Sequence, residues 1–302
     1  GVDGYYVRIA SLDGDGSASS TVIVKNVPVE RREHVAAHLV SPDVVALVRF
    51  GLRAADDPRI VDTLKIIDAL LKVETPNGPS WHRYNGDGYG EHEDGSPFDG
   101  TGIGRLWPLL TAERAHYELA AGRSDEARRL LAACEAFAND EGLLPEQIWD
   151  SPDIPERELF FGKPSGSAMP LVWAHGEYVK LCRSLRDGRV FDLPPQTVQR
   201  YLVEKTESPR LLWRFNHKIG SLPAGKSLRI ETLAAAVVHF TSDEWRTAQD
   251  LPTKDIGFGI HVADLPAETL NTPATIRFTF YWPEAGHWEG EDFAVKVSAA
   301  GT

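Results

Sequence analysis

A chain of 302 residues with a formal net charge of -12 has room for one large domain or two ordinary ones. Its 42% apolar content is ample for packed cores and argues against disorder. The acidic balance excludes the clustered Lys and Arg that phosphate backbones require, so no nucleic-acid partner is expected. No apolar run is long enough to cross a bilayer, so a soluble protein with no membrane partner is expected.

Taken in chain order, residues 1–10 hold no initiator Met, signal peptide or transit peptide, which reads as a sequence that other residues precede. The compartment therefore stays open, secretion included. Residues 5–10 and 21–27 read as a β-hairpin, about 5–27 overall, across the turn Asp13-Gly14-Asp15-Gly16. Ser41-Pro42 offers a helix cap followed by proline at the first helical position, and that helix is expected to reach about Ala55. Asp57-Pro58 repeats the signal, and Ile60, Leu64, Ile67 and Leu71 follow at helical spacing. Further helices are expected over about 108–121, from Ser124 through Phe137, and over about 167–187, with glycine stops at Gly122 and Gly188. Cys134 and Cys182 fall on the apolar faces of two of these and read as buried free thiols.

The pattern changes near residue 204. Strands are expected near 211–217, 227–233, 236–241, 256–264, 275–282 and 293–299, with the clearest alternation in Thr275-Ile276-Arg277-Phe278-Thr279-Phe280-Tyr281-Trp282. Short strands separated by turn signals predict a β-sandwich over 204–302, following a helical region over 1–203.

Two long connections interrupt the helices, over about 75–106 and 140–166, and loops of that length in a compact domain are usually functional. The first holds Trp81-His82-Arg83-Tyr84-Asn85-Gly86-Asp87-Gly88-Tyr89. Aromatic rings stack on the apolar faces of sugars while Arg and Asp bind hydroxyls, and the glycines lack phosphate-loop spacing. An acidic surface loop pinned by its own aromatics would have the same composition. Glu91, Glu93, Asp94 and Asp99 continue the loop. Such an oxygen-rich stretch could bind a structural Ca²⁺, although it does not match the EF-hand pattern, and His82, His92, His116 and His175 lack zinc spacing. No cofactor and no catalytic metal are expected.

The second connection holds Gly142-Leu143-Leu144-Pro145-Glu146-Gln147-Ile148-Trp149-Asp150. Glu146 could polarise a water and Gln147 could bond a sugar hydroxyl, but a lone Glu at a helix–loop junction is more often an ordinary exposed residue. Trp107 in Gly104-Arg105-Leu106-Trp107-Pro108 and Trp173 in Gly166-Ser167-Ala168-Met169-Pro170-Leu171-Val172-Trp173 stand at helix starts. There a tryptophan either walls a pocket or packs in a core.

Singly these signals are weak. In order and together, Trp-His-Arg-Tyr-Asn-x-Asp-Gly-Tyr-Gly, Trp-Pro-Leu-Leu-Thr-x-Glu-Arg-x-His-Tyr-Glu-Leu, Leu-Pro-Glu-Gln-x-Trp-Asp and Gly-Ser-Ala-Met-Pro-Leu-x-Trp-Ala-His are specific. They resemble the second half of glycoside hydrolase family 15, in particular its bacterial glucoamylases and glucodextranases. The resemblance covers nearly the whole chain and is strongest over 41–203. It implies half or more of an (α/α)₆ barrel, followed by the β-domain appended to glucodextranase-type enzymes. It implies an inverting, exo-acting α-glucan hydrolase that releases β-glucose, with Glu146 as general base and Gln147 after it. Arg83 would hold the terminal glucose, Asp87 and Tyr89 would line its subsite, and Trp107 and Trp173 would be pocket tryptophans. The family's general acid lies in the earlier half of the barrel and has no counterpart here.

Losing that partner costs orders of magnitude in rate, and half a barrel exposes apolar helix faces. The expected partners are thus an α-glucan, the N-terminal half of the barrel in cis or in trans, and, through the exposed faces, a second copy of the chain. The alternative is a non-catalytic α-glucan-binding module, or a structural half-barrel subunit that needs a partner chain. Linkage preference is not legible.

Overall fold

The computed structural model describes residues 1–10, 18–265 and 274–298, and the chain divides into two compact units at Thr206–Glu207. The first is mainly helical and the second is made of strands. Among the described residues no helix is long and apolar enough to cross a membrane.

In the first unit, β1 (Thr21–Ile23) pairs antiparallel with β2 (Glu33–Val35), Thr21 opposite Val35. This differs from the expected hairpin. Residues 5–10 form no strand, and the turn at Asp13–Gly16 lies outside the described residues. The backbone around Tyr6 and Arg8 is satisfied elsewhere: Tyr6 N–H donates to Thr63 Oγ1 at 2.9 Å and Arg8 N–H to Leu39 O at 2.7 Å.

Ser41 caps a 3₁₀ turn, Pro42–Val44, that leads into α1 (Val45–Arg49). The helix stops well before Ala55 because Gly51 turns left-handed at φ +71° and the N–H groups of Leu52 and Arg53 both close onto Leu47 O. Asp57 caps α2 (Pro58–Leu70) by accepting from Arg59 N–H at 2.9 Å. A hairpin absent from the sequence reading follows, β3 (Lys72–Thr75) with β4 (Gly78–Trp81). Then come α3 (Pro108–Ala120), α4 (Ser124–Ala136) and α5 (Val172–Asp187), with α3 packed against α1, α4 and α5. Their core includes Val48, Ile60, Leu64, Ile67, Leu109, Leu110, Leu130, Cys134, Leu181 and Leu185. Both cysteines are free thiols; Cys134 is buried and Cys182 half-buried.

α5 begins at Val172 rather than 167 because the residues before it serve another element. Glu146 N–H donates to Ala168 O, Trp149 N–H to Lys163 O, Ser165 N–H to Gln147 O and Leu171 N–H to Leu144 O, all at 2.8–3.0 Å. Single antiparallel bridges then carry this strip to the hairpin: Pro164 to Ile148, Ile148 to Leu106, and Trp107 to Trp81. The two long connections are thus knitted to β4 and present their side chains from a hydrogen-bonded base.

The second unit has two sheets. One runs β10 (Lys254–Asp255), β11 (His261–Leu265), β7 (Ser227–Thr232), β5 (Arg210–Arg214). The other runs β6 (Ser221–Pro223), β14 (Phe293–Ser298), β12 (Ala274–Trp282), β8 (Val237–Thr241), β9 (Gln249–Pro252), with β13 (His287–Trp288) also on β12. Pairing is antiparallel except β5 with β7 and β6 with β14. β14 alternates buried and exposed along its whole length. One cluster takes Trp213, Ile230 and Leu265 from the first sheet and Val238, Phe278, Phe280 and Val295 from the second. Trp213 sits 5.0 Å from the Phe278 ring and 4.8 Å from that of Phe293.

Candidate active site

Arg83 leads out of β4 into the glycine-rich connection. Its Nε and Nη2 donate to the two carboxylate oxygens of Asp87 at 2.7 and 2.9 Å, a forked pair across one turn. Asp87 Oδ1 also accepts from Tyr89 N–H at 3.0 Å, so this carboxylate organises the loop as well as holding the arginine. Burial opposes the Arg83 charge, but its bonds to Asp87 outweigh that and raise its pKa. The guanidinium lies 5.0 Å from the Tyr89 ring centre and 4.7 Å from that of Trp107, in cation–π range of both. Tyr89 meets Phe98 edge-on at 5.1 Å. Trp107 is 3% exposed, and its Nε1–H has no hydrogen-bond partner among the described residues.

Glu146 is half-buried on the neighbouring strip. Burial raises its carboxyl pKa; Arg83 pulls against this by its charge, and the Tyr89 hydroxyl by hydrogen bonding. Tyr89 responds in kind: burial, then the Glu146 charge, raises its phenol. Glu146, Gln147 and Tyr89 line one cavity of about 640 Å³, together with Glu91, Phe98 and Arg157. Arg83, Trp107 and Trp173 line a smaller one of about 110 Å³ with Arg8 and Glu113.

The expected residues separate by role. Arg83, Asp87, Tyr89 and Trp107 form one contiguous cluster, and Glu146 couples to it through Arg83 and Tyr89. Gln147 is 2% exposed and its Oε1 accepts from Arg105 N–H at 2.9 Å, which commits that oxygen to the backbone. Asp87 lines neither cavity but a third one, with His34 and His82. Trp173 is 56% exposed at the start of α5.

Three further residues matter that were not expected in a sugar site. Arg105, 1% exposed, bonds Asp150 and Ser151 through Nη1 and the carbonyls of Glu91 and His92 through Nη2, so it ties the two connections together. Glu113 on α3 has its pKa raised to about 7, first by burial and then by Glu177 and Asp43. Glu91 is 7% exposed, and one of its carboxylate oxygens has no hydrogen-bond partner among the described residues. Only the acidity of the 91–99 stretch hinted at the last of these; burial is set by residues remote in sequence.

Asp94 and Asp99, weighed above for Ca²⁺, accept from the backbone and hydroxyls of Ser96 and Thr101, as turn caps do. Among the described residues no three His, Cys, Asp or Glu side chains converge on a possible metal position. Chemically, the site offers a half-buried carboxylate of raised pKa beside an aromatic-walled, arginine-bearing pocket. Such a group, when ionised, can take a proton from an attacking water.

Comparison with known proteins bears on this arrangement. The model of glycosyl hydrolases family 15 matches residues 2–183. A glucoamylase of Clostridium sp. (strain G0005) is 43% identical over 202 residues, which are 66% of this chain and 26% of that protein. A cycloisomaltooligosaccharide glucanotransferase of Niallia circulans is 27% identical over 97 residues, 28% of this chain and 10% of that protein. A crystal structure of a bacterial glucoamylase complexed with acarbose matches with a TM-score of 0.57 at 42% identity, over 66% of this chain and 27% of that one. The chain thus spans about a quarter of the length of the two glucoamylases.

Proposed function

Because the chain belongs to glycosyl hydrolase family 15, we propose that it is the C-terminal part of an inverting, exo-acting α-glucan hydrolase that releases β-glucose, with Glu146 as its general base. The observation that carries this reading is Glu146 itself: half-buried, raised in pKa, on a cavity wall, and coupled to the Arg83–Tyr89–Trp107 cluster. A water beside its carboxylate gives up a proton as the water oxygen attacks the anomeric carbon from the face opposite the leaving sugar. The glycosidic oxygen must be protonated from the other side by an acid about 6.5–9.5 Å from the base. That acid comes from the rest of the enzyme. Arg83, fixed by Asp87, and the Trp107 and Trp173 rings bind the terminal glucose.

On this reading α1–α5 are part of an (α/α)₆ barrel and the second unit is a β-sandwich. Val172, Trp173 and Val179 on α5 are 82%, 56% and 64% exposed, an apolar stripe of the kind a missing barrel half would cover. An α-glucan and that N-terminal half, in cis or in trans, are the partners. The stripe also favours a second reading, a half-barrel subunit that binds glucan but cleaves only with its partner chain.

The test is kinetic and stereochemical, in the complete hydrolase that carries this chain. E146Q is expected to lower kcat by roughly 10²–10⁴-fold with little change in KM, because the base acts only as water attacks. Proton NMR should show β-glucose as the first anomer. Near-wild-type kcat removes Glu146 from the chemistry, and α-glucose appearing first removes inversion.

A further inference from the structure

Glu91 sits in the wall of the 640 Å³ cavity that also holds Glu146. It is 7% exposed, yet its Oε2 has no hydrogen-bond partner among the described residues. A buried carboxylate oxygen with nothing to accept from is costly, and natural sites keep one where a ligand completes it. The surroundings are built for this. Arg105, almost fully buried, clamps the Glu91 carbonyl at 2.8 Å, so the side chain leaves a fixed backbone. Gly166, which lines the same cavity, lies beside the carboxylate: a Cβ there would stand 3.1 Å from Glu91 Oε1, so the absence of a side chain leaves the carboxylate its room. Tyr89 and Phe98 supply ring surface to the same space. No third metal-ligating side chain joins Glu91 and Glu146 among the described residues, which disfavours a cation as the missing partner.

We infer that Glu91 is a sugar-binding carboxylate, whose Oε2 accepts a hydrogen bond from a hydroxyl of the α-glucan held against Glu146. A hydroxyl is the natural donor, since a carboxylate accepts two or more such bonds and a sugar presents them in pairs. The inference rests on the hydrolase reading, and the experiment separates the two. Its like charge also adds to the upward pressure on the Glu146 pKa, which gives a second readout.

E91Q, E91A and E146Q are compared in the complete hydrolase with maltotriose, with thermal unfolding of each. E91Q is expected to raise KM about tenfold, and E91A further, with kcat within about twofold. The acidic limb of kcat/KM should move to lower pH in E91Q, because removing a neighbouring negative charge lets Glu146 lose its proton earlier. Unchanged KM in both Glu91 variants overturns the inference alone, as does a fall in melting temperature with KM held. A requirement for added Ca²⁺ that only the Glu91 variants lose overturns it in favour of a cation. An E146Q enzyme with wild-type kcat removes Glu146 as the general base, and the placing of the glucan hydroxyl on Glu91 beside it falls as well.

Discussion

Glu113 and Arg83 show how differently a single side chain can be read before and after burial is known. Arg83, which the resemblance assigns to the terminal glucose, spends Nε and Nη2 on Asp87, so this arginine is itself held. Glu113 gave no signal beyond its helical position, yet its pKa stands at about 7 in the folded chain. The linkage has a definite sign. Unfolded, the group titrates near the ordinary glutamate value of 4.5, so between about 4.5 and 7 the folded state retains a proton that the unfolded state has lost. Its contribution therefore weakens the fold as pH rises through that window and is fully unfavourable above it. E113Q should match wild type in denaturant unfolding below pH 4.5 and exceed it above pH 7 by on the order of 3 kcal/mol. A constant difference across pH would mean that Glu113 is ionised throughout. Glu146, Gln147 and the Arg83 loop were legible because their motifs are local. The turn of the Gln147 amide toward Arg105 was not, because that partner lies on the other connection.

At the level of elements, capping chemistry placed the start of α2 at Asp57-Pro58 and the 3₁₀ turn at Ser41-Pro42, and the glycine stops at Gly122 and Gly188 hold in the structure, whereas α3, α4 and α5 start without a side-chain cap. Ends governed by distant pairing did not follow. α5 lost its expected first turn to the strip around Glu146, and the β3–β4 hairpin was hidden in what reads as loop. The connections depend on glycine where backbones approach. At Gly104 a Cβ would stand 2.5 Å from both Cβ and Cγ of Asp87. G104A should push Asp87 off Arg83 and cost about 1–3 kcal/mol by overpacking, with weaker binding of glucan by the complete hydrolase. Stability and affinity equal to wild type would show that the loop yields without disturbing the ion pair.

At the scale of the molecule, the change of period near residue 204 fell within a few residues of the division at Thr206–Glu207. Periodicity reports helix and strand directly, whereas it does not say what, if anything, covers the exposed side chains Val172, Trp173 and Val179 of α5. On the proposed reading, in which Glu146 is the base and the acid comes from another part of the enzyme, the 302-residue chain alone is expected to release no glucose from maltose, isomaltose, starch or dextran, since the departing sugar would leave as an alkoxide. Adding the rest of the barrel should restore release, and β-glucose from the chain alone would show that it holds its own acid. The bridged strip from Trp81 through Trp107, Leu106 and Ile148 to Pro164 has a consequence for motion. The amide hydrogens of Trp107, Ile148 and Trp149 are held by carbonyls of a neighbouring segment. They can meet solvent deuterium only when those segments part, so their exchange should be slow and should share one opening free energy. Glu146, whose own N–H is held by Ala168, would then be exposed or sheltered together with the start of α3, in a single cooperative opening rather than loop by loop.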